Sequence, residues 1–275
     1  MNYIQYTFTV TPPELGSDIL ISILADMGFE SFENNEKGFF AYIPENLNSI
    51  VNLRGLQFED FSYSFTTQKM EQVNWNEEWE KNFTPVIVND DCIIRAPFHQ
   101  ISKKYKYDII IMPKMSFGTG HHNTTWLMCK NMLELDFKNK TVFDMGCGTG
   151  VLAILAKKSG AAKVFGNDID EWSVENAAEN CANNDCKDIK LYNGDGPLFN
   201  NENAYDIVLA NINKNVLKTY MPKLSSCLKK NGFLFLSGFF KTDCEELISL
   251  ASIYYLNFHK QELKEDWAVL CFIKQ

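Results

Sequence analysis

Alternating apolar and polar residues open the chain and predict a half-buried strand over residues 3–10. Apolar residues then recur at helical spacing over residues 14–27, and Gly28 follows where a helix commonly ends. Further apolar runs predict two strands, a helix and a last strand, at residues 29–33, 38–43, 45–56 and 60–67. This order of elements is that of a ferredoxin-like α+β unit, so we expect a first domain over residues 1–67.

The segment over residues 68–82 is polar but contains Trp75 and Trp79, four positions apart. Side chains four residues apart share one face of a helix, so we interpret this segment as a connector helix seated by its two tryptophans. No glycine- and serine-rich run occurs in it, which argues against a flexible tether between domains.

The remaining pattern predicts an α/β domain over residues 83–275. Three short strands come first, at residues 86–88, 92–96 and 106–112. Nearly continuous apolar strands follow at residues 141–145, 163–167, 188–192, 205–210, 232–237, 254–262 and 267–273. Helices are predicted at residues 151–159, 171–183, 215–229 and 244–252. This alternation indicates a doubly wound, Rossmann-like parallel sheet of seven strands, whose last two strands pair as an antiparallel hairpin at the edge.

Composition narrows the function classes. With 26 Lys and Arg against 35 Asp and Glu, the net charge of -9 argues weakly against a non-specific nucleic-acid binder and suits a basic partner. No apolar span of about 18 residues predicts a membrane helix, and the first residues lack signal-peptide features, so we expect a cytoplasmic protein. The eight cysteines lack C-x-x-C spacing and the four histidines lack i to i+4 spacing. We therefore expect buried, reduced thiols and no metal site.

A glycine-rich turn, VFDMGCGTG over residues 142–150, carries the clearest sign of chemistry. A predicted strand ends near Asp144, and Gly146, Gly148 and Gly150 alternate before a predicted helix. Glycines permit a sharp turn and the close approach of a ligand to the main chain, and the start of a helix offers free N–H groups. Because ligands of doubly wound sheets bind at the carboxyl ends of the strands, we expect a nucleotide-type cofactor here.

Asp168 ends the next predicted strand, and a carboxylate at that position can accept hydrogen bonds from both hydroxyls of a ribose. The glycine spacing is G-x-G-x-G and not the G-x-G-x-x-G of dinucleotide-binding proteins. Two alternatives stay open, a dinucleotide fold with an unusual turn and a turn that binds no ligand. The tight glycine spacing with both acids resembles the class I S-adenosylmethionine-dependent methyltransferases.

Two further strand ends carry polar candidates. Asp195 follows the third strand, where such methyltransferases often place a carboxylate near the adenine amine, although a polar turn explains it equally well. Asn211 closes the fourth strand, and its side-chain carbonyl can accept a hydrogen bond from a substrate amine and so aim the nitrogen lone pair. Asn211 could instead cap the next helix, but Asn213 is better placed for that, as Asp170 is for the helix before.

A second motif, MSFGTGHHNTTWLM over residues 115–128, places two histidines and two threonines just before a helix. We interpret it as a loop over the cofactor, in which Thr124 or Thr125 offers a hydroxyl and Phe117 an apolar wall. Adjacent histidines rarely converge on one ion without a third ligand, so a metal is disfavoured. The alternative is a capped helix start whose histidines face solvent.

The motifs FGTGHHNTT, DMGCGTG, NDID and ANI, in this order, resemble the bacterial PrmA family, which methylates ribosomal protein L11 of the large subunit. NWNEEWEKNFTPV, within the predicted connector, resembles that family's connector, so the resemblance covers essentially the whole chain. It implies that Thr124, Gly146, Asp168 and Asn211 lie at the cofactor. Asn123 stands where proline is common in the family, from which we expect a looser loop.

The resemblance also implies an activity. Methyl groups would pass from S-adenosylmethionine to lysine side-chain and N-terminal amines of ribosomal protein L11, with residues 1–67 recognising the substrate and no nucleic acid or membrane required. Asn211 would orient the amine, and Phe117, Gly148 and Asp195 would complete the cofactor site. The alternatives are a class I methyltransferase acting on RNA or on another protein, an NAD-dependent oxidoreductase, and a binding module without catalysis.

Overall fold

The N-terminal unit contains a four-stranded antiparallel sheet. The computed structural model describes residues 3–49, 51–70, 83–114, 116–194 and 202–275, and the chain divides into the units Met1–Asn82 and Phe83–Gln275. The first unit comprises β1 (Tyr3–Thr11), α1 (Pro13–Asp26), β2 (Ser31–Asn35), β3 (Gly38–Pro44), α2 (Glu45–Asn48) and β4 (Ser62–Met70). The strands lie in the order β2-β3-β1-β4. The predicted ferredoxin-like order of elements is thereby confirmed.

An aromatic core holds this unit together. Phe8 of β1 and Phe39 of β3 are fully buried, and their ring centroids lie 4.8 Å apart in a stacked arrangement. Leu20 and Leu24 of α1 are fully buried in the same cluster. The period of two in β1 places Phe8 on the inner face, as the sequence pattern predicts. The buried face of α1 carries Leu20 and Leu24, whereas Ile19, which also fits a helical period, is 38% exposed.

Two predicted elements of the first unit are wrong in extent. The helix expected over residues 45–56 is reduced to the single turn α2 and a 3₁₀ turn at Leu53–Gly55. The segment is rich in asparagine and serine, whose side chains compete for backbone hydrogen bonds and weaken a helix interior. Strand β4 extends to Met70, which pairs with Tyr3, so residues 68–70 are strand and not connector helix. The rest of the predicted connector, with both tryptophans, lies outside the described residues.

The second unit contains a small sheet and a large one. Its strands are β5 (Val86–Ile87), β6 (Cys92–Arg95), β7 (Tyr107–Ile110), β8 (Thr141–Met145), β9 (Lys163–Asp168), β10 (Lys190–Asn193), β11 (Tyr205–Asn211), β12 (Leu228–Phe240), β13 (Leu256–Lys264) and β14 (Trp267–Lys274). The large sheet has the order β10-β9-β8-β11-β12-β14-β13. Its first five strands are parallel, and β14 pairs antiparallel with both β12 and β13. The predicted seven-stranded sheet with an edge hairpin is confirmed.

Helices cover both faces of the large sheet. They are α3 (Asn123–Met132), α4 (Val151–Lys158), α5 (Glu171–Asn183), α6 (Lys214–Cys227) and α7 (Cys244–Ile253). Successive residues of β11 alternate between two apolar clusters: Leu209 packs with residues of α3 and α4, and Val208 packs with residues of α6 and α7. Because neighbouring side chains of a strand point to opposite faces, the two clusters are the two layers of a doubly wound fold.

The order of the strands reverses at β8, which lies between β9 and β11. Connections from β8 and from β11 leave toward opposite sides at this point, so a crevice opens at the carboxyl ends of the strands. Met145, Asp168 and Asn211 are the last residues of β8, β9 and β11. The fold therefore gathers three separate sequence motifs at one edge.

All eight cysteines are buried and none forms a disulfide, as the sequence predicts. Among the described residues no helix has both the length and the apolar character to cross a membrane.

Candidate functional site

A cleft of about 560 Å³ opens at the switch point of the large sheet. Six of the seven residues predicted to form the site line it together: Phe117, Thr124, Gly146, Gly148, Asp168 and Asn211. The seventh, Asp195, lies outside the described residues. The structure thus brings the glycine turn, the two strand ends and the loop before α3 to a single cavity.

The glycine turn is shaped by left-handed backbone conformations. Gly146 has φ of 68° and Gly148 has φ of 52°, a region that other residues rarely adopt. A Cβ atom at Gly146 would collide with Ile212, and one at Gly148 would collide with the carbonyl oxygen of Phe117. These two positions therefore require glycine, both for the turn and because neighbouring segments pack directly on the backbone.

The carboxylate of Asp168 faces this turn. Its Oδ2 accepts the N–H of Gly148 at 2.9 Å, and its Oδ1 accepts the N–H of Asp170 at 3.1 Å. A carboxylate has about four lone-pair sites, so two bonds leave capacity for further donors. Asp170 caps α5, since its Oδ1 accepts the N–H of Trp172 at 3.2 Å, which confirms the prediction that it is a helix cap.

Asn211 lines the cleft and carries a buried acceptor without a partner. Its Nδ2 donates to the hydroxyl of Thr125 at 3.3 Å, while its Oδ1 is buried and has no hydrogen-bond partner among the described residues. A buried acceptor without a partner costs roughly 1–3 kcal/mol, which a ligand donor would recover. The competing role as a helix cap belongs to Asn213, as predicted, because its Oδ1 accepts the N–H of Val216 at 3.1 Å.

Asp144 lies beneath the glycine turn and is 1% exposed. Its Oδ2 accepts the N–H of Ala153 in the first turn of α4 at 3.1 Å, and its Oδ1 has no partner among the described residues. Burial raises the pKa of this carboxyl to about 7; the Ala153 N–H opposes that rise and the charge of Asp168 adds to it. Asp144 thus anchors the helix that follows the turn.

The two adjacent histidines diverge. His122 caps α3, its Nδ1 accepting the N–H of Thr124 at 3.3 Å, and it lines the cleft. His121 is exposed, and its Nε2 lies 2.9 Å from the carbonyl oxygen of Thr84. The alternative of a capped helix start is therefore correct, but only His121 faces solvent. No three His, Cys, Asp or Glu side chains of the described residues gather as a metal site would require.

The loop before α3 is tied to the edge hairpin. The side-chain amide of Asn123 donates to the carboxylate of Glu265 at 2.8 Å, and Glu265 lies in the turn between β13 and β14. The expectation that asparagine loosens this loop is wrong, because an amide can form the tertiary hydrogen bond that proline lacks the side-chain donor to make.

Trp267 is the main lining residue that the sequence analysis missed. Its ring lies 4.5 Å from the His122 ring, centroid to centroid, at 70°. It is the first residue of β14 and pairs with Phe240, near the carboxyl end of β12. An antiparallel strand begins where its parallel neighbours end, so Trp267 reaches the site because β14, and not β13, pairs with β12. The predicted hairpin left that order open.

Comparisons with known proteins identify relatives of this chain. A family model described as Ribosomal protein L11 methyltransferase (PrmA) matches residues 26–275. The Ribosomal protein L11 methyltransferase of Porphyromonas gingivalis is 42% identical, covering 99% of this chain and 98% of that protein. The protein of the same name from Bacteroides fragilis is 39% identical, covering 99% of this chain and 100% of that protein.

Among solved structures, the ribosomal protein L11 methylase of Lactobacillus delbrueckii subsp. bulgaricus superposes with a TM-score of 0.63 at 27% identity. The superposition covers all of that chain and 70% of this one. Sequence, fold and site geometry thus converge, and the chain belongs to the ribosomal protein L11 methyltransferase family.

Proposed function

We propose that this protein transfers methyl groups from S-adenosylmethionine to lysine side-chain and N-terminal amines of ribosomal protein L11. The observation that carries the proposal is Asn211, which lines the same cleft as the glycine turn and Asp168 and whose buried Oδ1 has no hydrogen-bond partner among the described residues. Membership in a methyltransferase family supports the reaction. The net charge of -9 suits a basic protein substrate, and we assign its recognition to residues 1–67 and the reaction to residues 83–275, in the cytoplasm.

The residues of the cleft fit S-adenosylmethionine. We assign the ribose hydroxyls to Asp168, whose carboxylate has free lone pairs, and the adenine amine to Asp195. The glycine turn allows a ligand to approach the main chain closely, because Gly146 and Gly148 line the cleft without side chains. Phe117 and Thr124 complete the wall on the side of α3. When bound, the cofactor supplies a methyl group on a cationic sulfur, which makes that carbon electrophilic.

The chain itself prepares the amine. A lysine ammonium with a pKa of about 10.4 must lose a proton before it can attack. Transfer from water into the cleft disfavours the charged form, and a neighbouring cation disfavours it further, so the pKa of the bound amine falls. Asn211 Oδ1 accepts one N–H of the neutral amine and aims the lone pair along the line of attack. The released proton passes to water.

The proposal is tested by intact-mass spectrometry of unmodified ribosomal protein L11 incubated with this protein and S-adenosylmethionine. Two parallel reactions contain nuclease-treated L11 alone and L11 bound to its ribosomal RNA. We expect a ladder of single-methyl mass increments on the nuclease-treated protein, with fragmentation placing them on amines. Methylation of the RNA instead would contradict the proposed substrate and favour the RNA alternative. An unmodified L11, with cofactor binding intact, would favour another protein substrate.

A further inference from the structure

Four aromatic rings form a continuous wall beside the cleft. The wall consists of Phe117, His122, Trp267 and Phe240. The centroid of the His122 ring lies 5.2 Å from that of Phe117 and 4.5 Å from that of Trp267, and Trp267 stacks on Phe240 at 4.4 Å with 29° between planes. Phe117 is 53% exposed and Phe240 is 49% exposed. Aromatic side chains grouped at this exposure commonly mark a binding surface.

The wall is built from separate parts of the chain and held in place. Phe117 and His122 precede α3, Phe240 ends β12 and Trp267 begins β14. His122 is fixed as a helix cap by the N–H of Thr124. The pairing of Phe240 with Trp267 fixes the two backbones from which the stacked rings project. Three of the rings, Phe117, His122 and Trp267, line the cleft that also contains Asn211 and Asp168, and Phe240 stacks on Trp267.

The chemistry of such a wall selects among cations. The face of an aromatic ring carries negative potential and attracts a cation within about 6 Å, tryptophan most strongly. Burial lowers the pKa of His122, which favours the neutral ring over a cationic one that would repel a bound cation. An unmodified ammonium is compact and strongly hydrated. Each added methyl group replaces an N–H and enlarges the apolar surface that can contact the rings while the positive charge remains.

We propose that the aromatic wall, with Trp267 at its centre, binds the N-methylated ammonium group of a partly methylated substrate in preference to the unmodified ammonium. This inference rests on the proposed function and deepens it, because it states which form of the amine the site retains. In each round the nitrogen forms a bond to the methyl carbon as the carbon–sulfur bond breaks and its electron pair stays on sulfur. The ammonium proton passes to water before the next round. Retention of the methylated amine favours successive rounds on one amine.

Equilibrium binding separates this preference from turnover. Unmodified L11 and L11 whose amines are dimethylated by formaldehyde and cyanoborohydride are titrated calorimetrically in the presence of S-adenosylhomocysteine, which has no methyl group to transfer. We expect the wild type to bind the dimethylated protein about three- to tenfold more tightly, the range expected of a cation–π contact. Trp267→Leu should remove that preference and Trp267→Phe should retain most of it. Trp126→Leu, which removes a tryptophan outside the cleft, should retain it fully.

Each other outcome overturns the inference. Equal affinity of the wild type for the two forms, or an unchanged preference in Trp267→Leu, would contradict the role of the wall and leave the proposed function intact. If neither form binds the wild type, the proposed substrate fails and the inference fails with it. If Trp267→Leu weakens binding of S-adenosylmethionine but not of the uncharged S-adenosylhomocysteine, the wall binds the sulfonium and not the amine.

Discussion

At the scale of single residues, Asp168 and Asp144 show that the same type of side chain has different roles in different surroundings. Asp168 is half-buried at the cleft, accepts the N–H of Gly148 and keeps lone pairs for a ligand. Asp144, at the end of the neighbouring strand, is buried and accepts only the N–H of Ala153 among the described residues. Asp168 is therefore suited to binding a ligand, and Asp144 is suited to supporting the glycine turn.

Replacing Asp168 with alanine tests the ribose assignment. Hydrogen bonds to a charged group contribute roughly 1.5–3 kcal/mol, so we expect the affinity for S-adenosylmethionine to fall about 10- to 150-fold in calorimetry. Asp170→Ala is the matched control: it removes a helix cap and should lower stability by about 1 kcal/mol with cofactor affinity unchanged. Equal affinity in Asp168→Ala and wild type would show that the carboxylate does not bind the ribose.

The buried carboxyl of Asp144 makes stability depend on pH. Its pKa rises from 3.8 to about 7 on folding, so its contribution to stability is fully present below pH 3.8 and is lost as the pH rises through about 7. Asp144→Asn keeps the shape without the charge. In urea unfolding, the stability of this variant relative to wild type should therefore increase between pH 5 and pH 8. A difference that stays constant over that range would show that the group does not titrate there.

At the scale of elements, those with a strong apolar period were predicted within a few residues, whereas the hydrogen bonds that dock one element on another were not. Strand β8 matches its prediction at both ends because it is nearly continuously apolar, whereas α2 fails because asparagine and serine interrupt it. Two side-chain amides, one within α5 and one at its C-terminal cap, illustrate what periodicity misses. Asn180 Oδ1 accepts the N–H of Met112 at 2.8 Å, and Asn184 Oδ1 accepts that of Ile110 at 2.9 Å. They dock the small sheet on a helix distant in sequence.

Removing one of these amides should loosen that docking. Asn184→Ala leaves the part-buried N–H and C=O of Ile110 without the side chain that binds both, which costs roughly 1–3 kcal/mol of unfolding free energy. The neighbouring Asn183 is exposed, so Asn183→Ala should change stability by less than about 0.5 kcal/mol. The free energies of unfolding of the two variants and the wild type are compared by urea denaturation. Equal losses from both would show that the effect does not come from the tertiary hydrogen bonds of Asn184.

At the scale of the whole molecule, the chain consists of two units, and the cleft lies in the second. In the second unit the parallel strands end at one edge of the sheet. Residues that are far apart in the sequence, Gly146, Asp168 and Asn211, therefore line the same cleft. That convergence was predictable from the alternation of strands and helices. The position of Trp267 in the cleft was not predicted. It depends on β14 lying between β12 and β13, and no local pattern of the sequence specifies that order of strands.

The central claim is that this cleft methylates the amines of ribosomal protein L11 with Asn211 orienting the nitrogen, and a single-turnover experiment tests it most directly. Excess enzyme saturated with S-adenosylmethionine is mixed with L11, and methyl addition is followed by intact mass. We predict rapid methylation by the wild type and by the control Asn215→Ala, an exposed position outside the cleft. Asn211→Ala should bind the cofactor within about threefold of wild type but transfer roughly 10- to 100-fold more slowly, because orientation is lost. Transfer by Asn211→Ala at the wild-type rate, or a loss explained wholly by weaker cofactor binding, would contradict the account.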